Sequence, residues 1–191
     1  TNAPSNAPVC SPSRASLFSG IQPHESGQYA FGNWRQNEVL ANSRTIMEQL
    51  SHHGYFSAGT GKLTHHQWPN AWDEFGIRPD YTPLAFNGKK VTQHPDVPAP
   101  YNTDVGPLDS TFAPLSTVPT VKPDGKTPGY KGWYYGGFKK PFNYISETNR
   151  DPLPDEMYAQ WTVDKLKQFE QDKLEKPFFL SVGFIRPHTP L

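Results

Sequence analysis

The sequence predicts an α/β fold: a mostly parallel sheet flanked by helices. Three observations predict it. Tyr55-Phe56-Ser57-Ala58-Gly59 reads as a short strand. Residues 155–174 carry Met157, Trp161, Val163, Leu166 and Phe169 at spacings that can share one broad helical face. Pro177-Phe178-Phe179-Leu180-Ser181-Val182-Gly183-Phe184 then reads as a buried strand. Strands with apolar central runs that alternate with helices belong in parallel sheets, because helices cover the faces.

The remaining elements follow in order. Pro4 and Pro8 make residues 1–9 extended. Ser11 is a good N-cap, and Pro12 suits a first helical turn, where its missing N–H costs nothing. A short helix over 13–19 follows, with Ala15, Leu17 and Phe18 as its apolar residues and Gly20 as its stop. Residues 21–42 read as loop. Ile46, Met47 and Leu50 predict a helix over 44–53, capped by Ser43 and stopped at Gly54. Residues 67–150 lack periodicity, a pattern that signals function or disorder in a stretch of this length. Their rings (Trp68, Trp72, Tyr81, Trp133, Tyr134, Tyr135 and Phe138) argue against disorder, so the stretch reads as an insertion.

Composition narrows the function classes. The 191 residues hold 18 Lys and Arg against 18 Asp and Glu, so bulk charge gives no case for a nucleic-acid or membrane partner. No apolar run approaches the roughly 20 residues of a membrane span. Residues 1–10 lack the basic start and apolar stretch of a signal peptide. The chain starts at Thr1 and stops at Leu191, just past a strand, so the expectation is a piece of a longer protein.

The chemistry concentrates around the single cysteine, Cys10, in Cys10-Ser11-Pro12-Ser13-Arg14. A lone cysteine makes no internal disulfide. On residue type it is either a small buried hydrophobe or a reactive thiol at a helix mouth, where the dipole and Arg14 favour an anion. A phosphatase-type loop would need arginine at position 16, which is Ser16. No local cysteine-protease signature surrounds Cys10. Gly59-Thr60-Gly61-Lys62 fails as a phosphate loop, because Phe56 and Leu63 stand where glycine and a hydroxyl residue are required. Even so, Lys62 lies at the C-terminal end of a strand, where α/β sheets place ligand groups. Phe184-Ile185-Arg186-Pro187-His188 puts a cation and a histidine on either side of a proline, just past the last strand.

These motifs together resemble the type I sulfatases. Cys-x-Pro-Ser-Arg with Gly20 six residues after Arg14 is similar to that family's signature, with Ser19 in place of the usual threonine. Gly54-Tyr55 before a strand and Gly61-Lys62 after it match a second family motif. Arg186-Pro187-His188 after Pro177-Phe178-Phe179 matches a third. The histidine three residues after Lys62, His65, leans toward the iduronate-2-sulfatase-like branch, with His66 as the adjacent alternative.

The resemblance implies an alkaline-phosphatase-like sulfatase fold, incomplete in this chain. Residues 1–191 would be part of the N-terminal catalytic domain, with the insertion at about 67–150. It implies that Cys10 is oxidised to formylglycine by a formylglycine-generating enzyme, and that the hydrated aldehyde attacks the sulfur of a sulfate ester. In that scheme Arg14 stabilises the hydrate, and Lys62 and Arg186 hold sulfate oxygens. His188 protonates the leaving alcohol, and His65 takes a proton from the geminal diol. It also implies Ca²⁺, bound by position 10, by a pair of aspartates before the cysteine motif and by an aspartate with an asparagine or histidine well after the third motif, all but position 10 outside these residues, so the chain alone is expected to be inactive. The implied substrate is a sulfated carbohydrate or another sulfate ester, in a periplasmic, secreted or lysosomal setting. A phosphate or phosphonate ester hydrolase on the same scaffold and a non-catalytic glycan-binding protein are the competing readings.

Overall fold

A computed structural model describes residues 2, 4–86, 90–91, 98–100, 115–117 and 132–186. The chain divides into two units, residues 1–78 with 161–183, and residues 79–160 with 184–191.

The first unit is built on the expected parallel sheet. Strand β1 (Phe56–Gly61) lies between β2 (Glu74–Phe75) and β8 (Phe178–Gly183) and is parallel to both. Its register with β8 runs from Phe56 opposite Phe178 to Gly61 opposite Gly183. Small residues let the layers close. A Cβ on Gly59 would meet Leu63 at 2.6 Å and Trp72 at 3.0 Å. A Cβ on Gly183 would lie 2.1 Å from the Lys62 carbonyl oxygen, so only glycine fits there. Strand β8 is less buried than its apolar run predicts: Phe178 is 44% exposed.

Helix α1 (Cys10–Ser19) packs Ala15 and Phe18 into a core with Trp34, Leu40, Met47, Leu63, Ala71 and Trp72. Trp72 stacks on Phe179 at 5.9 Å and meets Phe18 edge-on at 6.1 Å. Gly20, at φ 74°, ends α1 as expected by donating its N–H to the Ser16 carbonyl at 2.8 Å. The start differs from the expectation. The helix begins at Cys10 after Val9, and Ser11 is buried inside the first turn instead of capping it. Residues 21–42 are not plain loop; they wind into α2 (Pro23–Ser26), α3 (Glu38–Ala41) and a 3₁₀ turn, Trp34–Gln36.

Helix α4 (Ile46–His52) is capped by Thr45, not Ser43. The Thr45 hydroxyl accepts from the Glu48 N–H while the Glu48 carboxylate accepts from the Thr45 N–H at 2.9 Å. This reciprocal box outcompetes Ser43, whose hydroxyl turns back to the Val39 carbonyl at 2.7 Å.

Part of the insertion lies outside the described residues. What is described in the second unit is antiparallel. Strand β4 (Trp133–Tyr135) pairs with β3 (Leu84–Ala85) and β5 (Lys140–Phe142), while β6 (Tyr144–Ser146) pairs with β7 (Asn149–Arg150). Trp133, Tyr135, Phe142 and Tyr144 form its core with Ala85. The tryptophan N–H donates to the Leu115 carbonyl at 3.1 Å, and the Tyr135 hydroxyl donates to the Pro152 carbonyl.

Helix α5 (Pro154–Gln171) is the longest helix among the described residues, and its residues fall into both units. Its five apolar residues do not act as one buried face. Met157 joins the second unit's core, and Phe169 meets Phe56 and Phe178. Val163 and Leu166 stay exposed, at 46% and 45%. No helix among the described residues is long and apolar enough to cross a membrane.

Candidate active site

Cys10 is the first residue of α1, so its side chain sits at the helix N-terminus. Val9 offers no side-chain cap, and Pro12 has no N–H to satisfy. The first turn therefore keeps its positive end open. The Ser11 hydroxyl, buried beside Cys10, has no hydrogen-bond partner among the described residues.

One helical turn on, the Arg14 guanidinium crosses to the end of β1. Its Nη1 donates to the Lys62 carbonyl and, at 3.3 Å, to the Leu63 carbonyl. The main chain there turns at Gly61, with φ 73°, and the Lys62 N–H donates to the Gly183 carbonyl at 2.7 Å. These bonds tie α1, β1 and β8 together at one point.

Lys62 is 2% exposed. Burial pulls its pKa below the ordinary lysine value; a negative charge on Cys10 opposes that, and Arg14 adds to it. Lys62 thus lies in a poorly solvated place near both Cys10 and Arg14.

His65 lies directly against the cysteine, with Nδ1 3.3 Å from Sγ. Its ring is 5.0 Å from Phe31 and 5.1 Å from His66. Of the two adjacent histidines, it is His65 that meets Cys10. The His66 Nδ1 is buried without a partner among the described residues. Cys10, Arg14, Lys62 and His65 therefore come together in the first unit, although 55 positions separate Cys10 from His65 in the chain.

Arg186 belongs to the second unit. Its N–H and that of Ile185 donate to the two carboxylate oxygens of Asp155, at 3.0 and 2.7 Å. Burial lowers its pKa, while Asp155, Tyr158 and Asp80 raise it. The Arg186 Nη1 is buried with no hydrogen-bond partner among the described residues. His188 lies outside the described residues.

Asp155 went unassigned in the sequence because an acid in a first turn suits any helix. Its grip on the segment just after β8 depends on chain closure, which spacing does not display. Phe31 likewise looked like an ordinary loop residue.

The donors at Cys10 do not fit the Ca²⁺ that the resemblance implies. A hard cation needs several oxygen ligands, and here a thiol and an imidazole stand among two cations. Among the described residues no three His, Cys, Asp or Glu side chains gather closely enough to hold a metal.

The family model described as Sulfatase matches residues 1–191. A sulfatase of Formosa agariphila is 25% identical over all of this chain and 32% of its own length. Human iduronate 2-sulfatase is 24% identical over 99% of this chain and 28% of its own length. Dog N-acetylgalactosamine-6-sulfatase is 26% identical over 96% of this chain and 31% of its own length. The chain thus spans about a third of the length of the curated relatives it matches.

Proposed function

The chain belongs to the sulfatase family, and on that premise we propose that the protein hydrolyses sulfate esters, with a sulfated glycan as substrate and position 10 as the site of the nucleophile. We take residues 1–191 as part of the N-terminal catalytic domain, with the insertion at about 67–150. The observation that carries the reading is the convergence of Arg14, Lys62 and His65 on Cys10 at an open helix N-terminus.

Each residue has a part that its surroundings support. A formylglycine made from Cys10 supplies an oxygen nucleophile for sulfur. Lys62, desolvated and cationic, holds a sulfate oxygen and stabilises charge that grows on it. Arg14, fixed to two carbonyls, keeps a positive charge beside position 10 without needing to reorganise. His65 is within reach of position 10 to remove a proton there. The parts implied for Arg186 and His188 rest on the resemblance alone.

The test is turnover by the full-length protein of matched sulfate, phosphate and phosphonate esters. The reading expects sulfate turnover that Cys10→Ala abolishes. Turnover of the phosphorus esters alone would favour the phosphohydrolase on the same scaffold. Glycan binding that survives Cys10→Ala, with no turnover by the parent protein, would favour a binding protein.

A further inference from the structure

The imidazole that meets Cys10 needs more than that contact to hold its aim. His65 is half-buried, with Nδ1 3.3 Å from Sγ. A histidine ring turns about a broad, soft torsion, yet a proton acceptor works only while its nitrogen points at the proton.

Two neighbouring rings restrict that torsion. The Phe31 centroid lies 5.0 Å from that of His65 at a tilt of 44°, and the His66 centroid lies 5.1 Å away at 73°. Phe31 is itself 57% exposed. A ring left that open adds little to core packing, so its contact with the imidazole stands apart from the support of the fold.

The segment that carries Phe31 is anchored to the segment that carries His65 at a second point. Three and four residues beyond Phe31, Trp34 and Arg35 both meet Trp68, three residues beyond His65. Trp34, 3% exposed in the core, meets Trp68 edge-on at 5.5 Å. The Arg35 guanidinium carbon stands 3.6 Å from the Trp68 ring centroid. The turn between these points is pinned by its own side chains. Gln28, 8% exposed, donates from its Nε2 to the Ala30 carbonyl at 2.9 Å and to the Gly32 carbonyl at 2.8 Å, on either side of Phe31. The Asn33 side chain accepts from the Arg35 N–H at 3.1 Å and caps the 3₁₀ turn that carries Trp34 and Arg35. A buried amide on both flanks and a cation stacked on an indole beyond leave Phe31 little freedom to leave the imidazole.

We propose that Phe31 is a positioning residue: fixed by Gln28 and by the Arg35–Trp68 stack, its ring keeps the His65 imidazole aimed at position 10. The inference rests on the sulfate-ester reading, in which His65 removes a proton there. Phe31 acts through His65 and exchanges no proton itself.

The test uses the full-length protein and whichever of 4-nitrophenyl sulfate and a panel of monosulfated hexopyranosides it turns over fastest. Phe31→Ala should lower kcat about tenfold, because a loosened imidazole spends less time aligned. KM should change by less than about twofold, because no contact to substrate is lost. Phe31→Tyr should bring kcat back to within about twofold of the parent, since the ring returns and its hydroxyl can reach water. The urea midpoint of Phe31→Ala should stay at the parent value, because an exposed ring leaves no cavity. A crystal structure of that variant should show the His65 ring turned from position 10 or spread over several orientations. An unchanged kcat in Phe31→Ala overturns the inference, as does a rise in KM alone, which would make the ring a binding residue. A loss that Phe31→Tyr shares overturns it too, as does a fallen urea midpoint or an imidazole that has not moved. A parent protein inert to every sulfate ester overturns the sulfatase reading and this inference with it; an active parent with an indifferent Phe31→Ala variant overturns the inference alone.

Discussion

The two units bury charge in opposite ways. In the first, cationic groups meet at the end of β1: Lys62 is almost wholly buried, and its charge is disfavoured by that burial and by Arg14. In the second, acids hold the main chain. Asp80, 4% exposed, accepts from the N–H groups of Thr82 and Gly137, both at 3.1 Å. Asp155 accepts from those of Ile185 and Arg186. Acids bonded this way strengthen the fold, whereas burial and a like charge beside it disfavour the charge on Lys62. The contrast sets cations gathered beside Cys10 against acids bonded to main-chain N–H groups.

The sharpest way to break this contrast is at the seam that assembles the cations. Gly183→Ala drives a Cβ into the Lys62 backbone and should cost about 3–5 kcal/mol, among the larger single-residue effects. Gly20→Ala has open space and only a left-handed φ to bear, so it should cost about 1–2 kcal/mol. Urea unfolding of the two variants measures the difference. Equal costs would mean that β8 and the Lys62 turn are not in close contact.

Replacing the buried cation should affect rate more than stability. Lys62→Met should lower kcat by about 10²–10³, in line with removal of one preorganised charge. It should change stability less than rate, because the desolvation that opposes the charge of Lys62 goes with the side chain. The lowered pKa of Lys62 also has a sign. The parent protein should lose activity below pH 10.5 on the alkaline side as the ammonium deprotonates, and Lys62→Met should lack that limb. A large loss of stability in Lys62→Met would place this lysine in the architectural class.

Asp155→Ala should show the opposite pattern, a loss of about 2 kcal/mol as two main-chain donors lose their acceptor. Asp155→Asn, which keeps one acceptor oxygen, should lose less. The smallest effect is expected at Asp73, an architectural acid within the first unit. Burial opposes its charge, but the Ser57 N–H and the Ser57 and Ser51 hydroxyls outweigh burial and hold its pKa below 3.8. Its contribution is therefore full above the ordinary carboxylate range and lost as pH falls through the lowered value. Asp73→Asn should flatten the acid limb of a stability–pH curve.

The same contrast explains what the sequence made legible. The first unit's chemistry lies in short motifs beside one strand. Residue type and position alone left Cys10 between a buried hydrophobe and a reactive thiol; it was the resemblance of the motifs to the sulfatases that grouped Cys10, Arg14, Lys62 and His65. Helix starts were harder: Thr45 won over Ser43 because Glu48 completed a reciprocal box, and Ser11 was drawn into the helix. The second unit hid its strands. At two or three residues each, β3 to β7 are too short for alternation to register. Its acids act across long separations, as Asp155 does on Ile185 thirty residues away.

The central claim is that the sulfur of Cys10 is discarded to make the nucleophile. Mass spectrometry of the peptide around Cys10, from protein made in its native host, tests it most directly. The account predicts a mass about 18 Da below that of the unmodified peptide, the change from thiol to aldehyde. A peptide that carries an intact thiol throughout would contradict it.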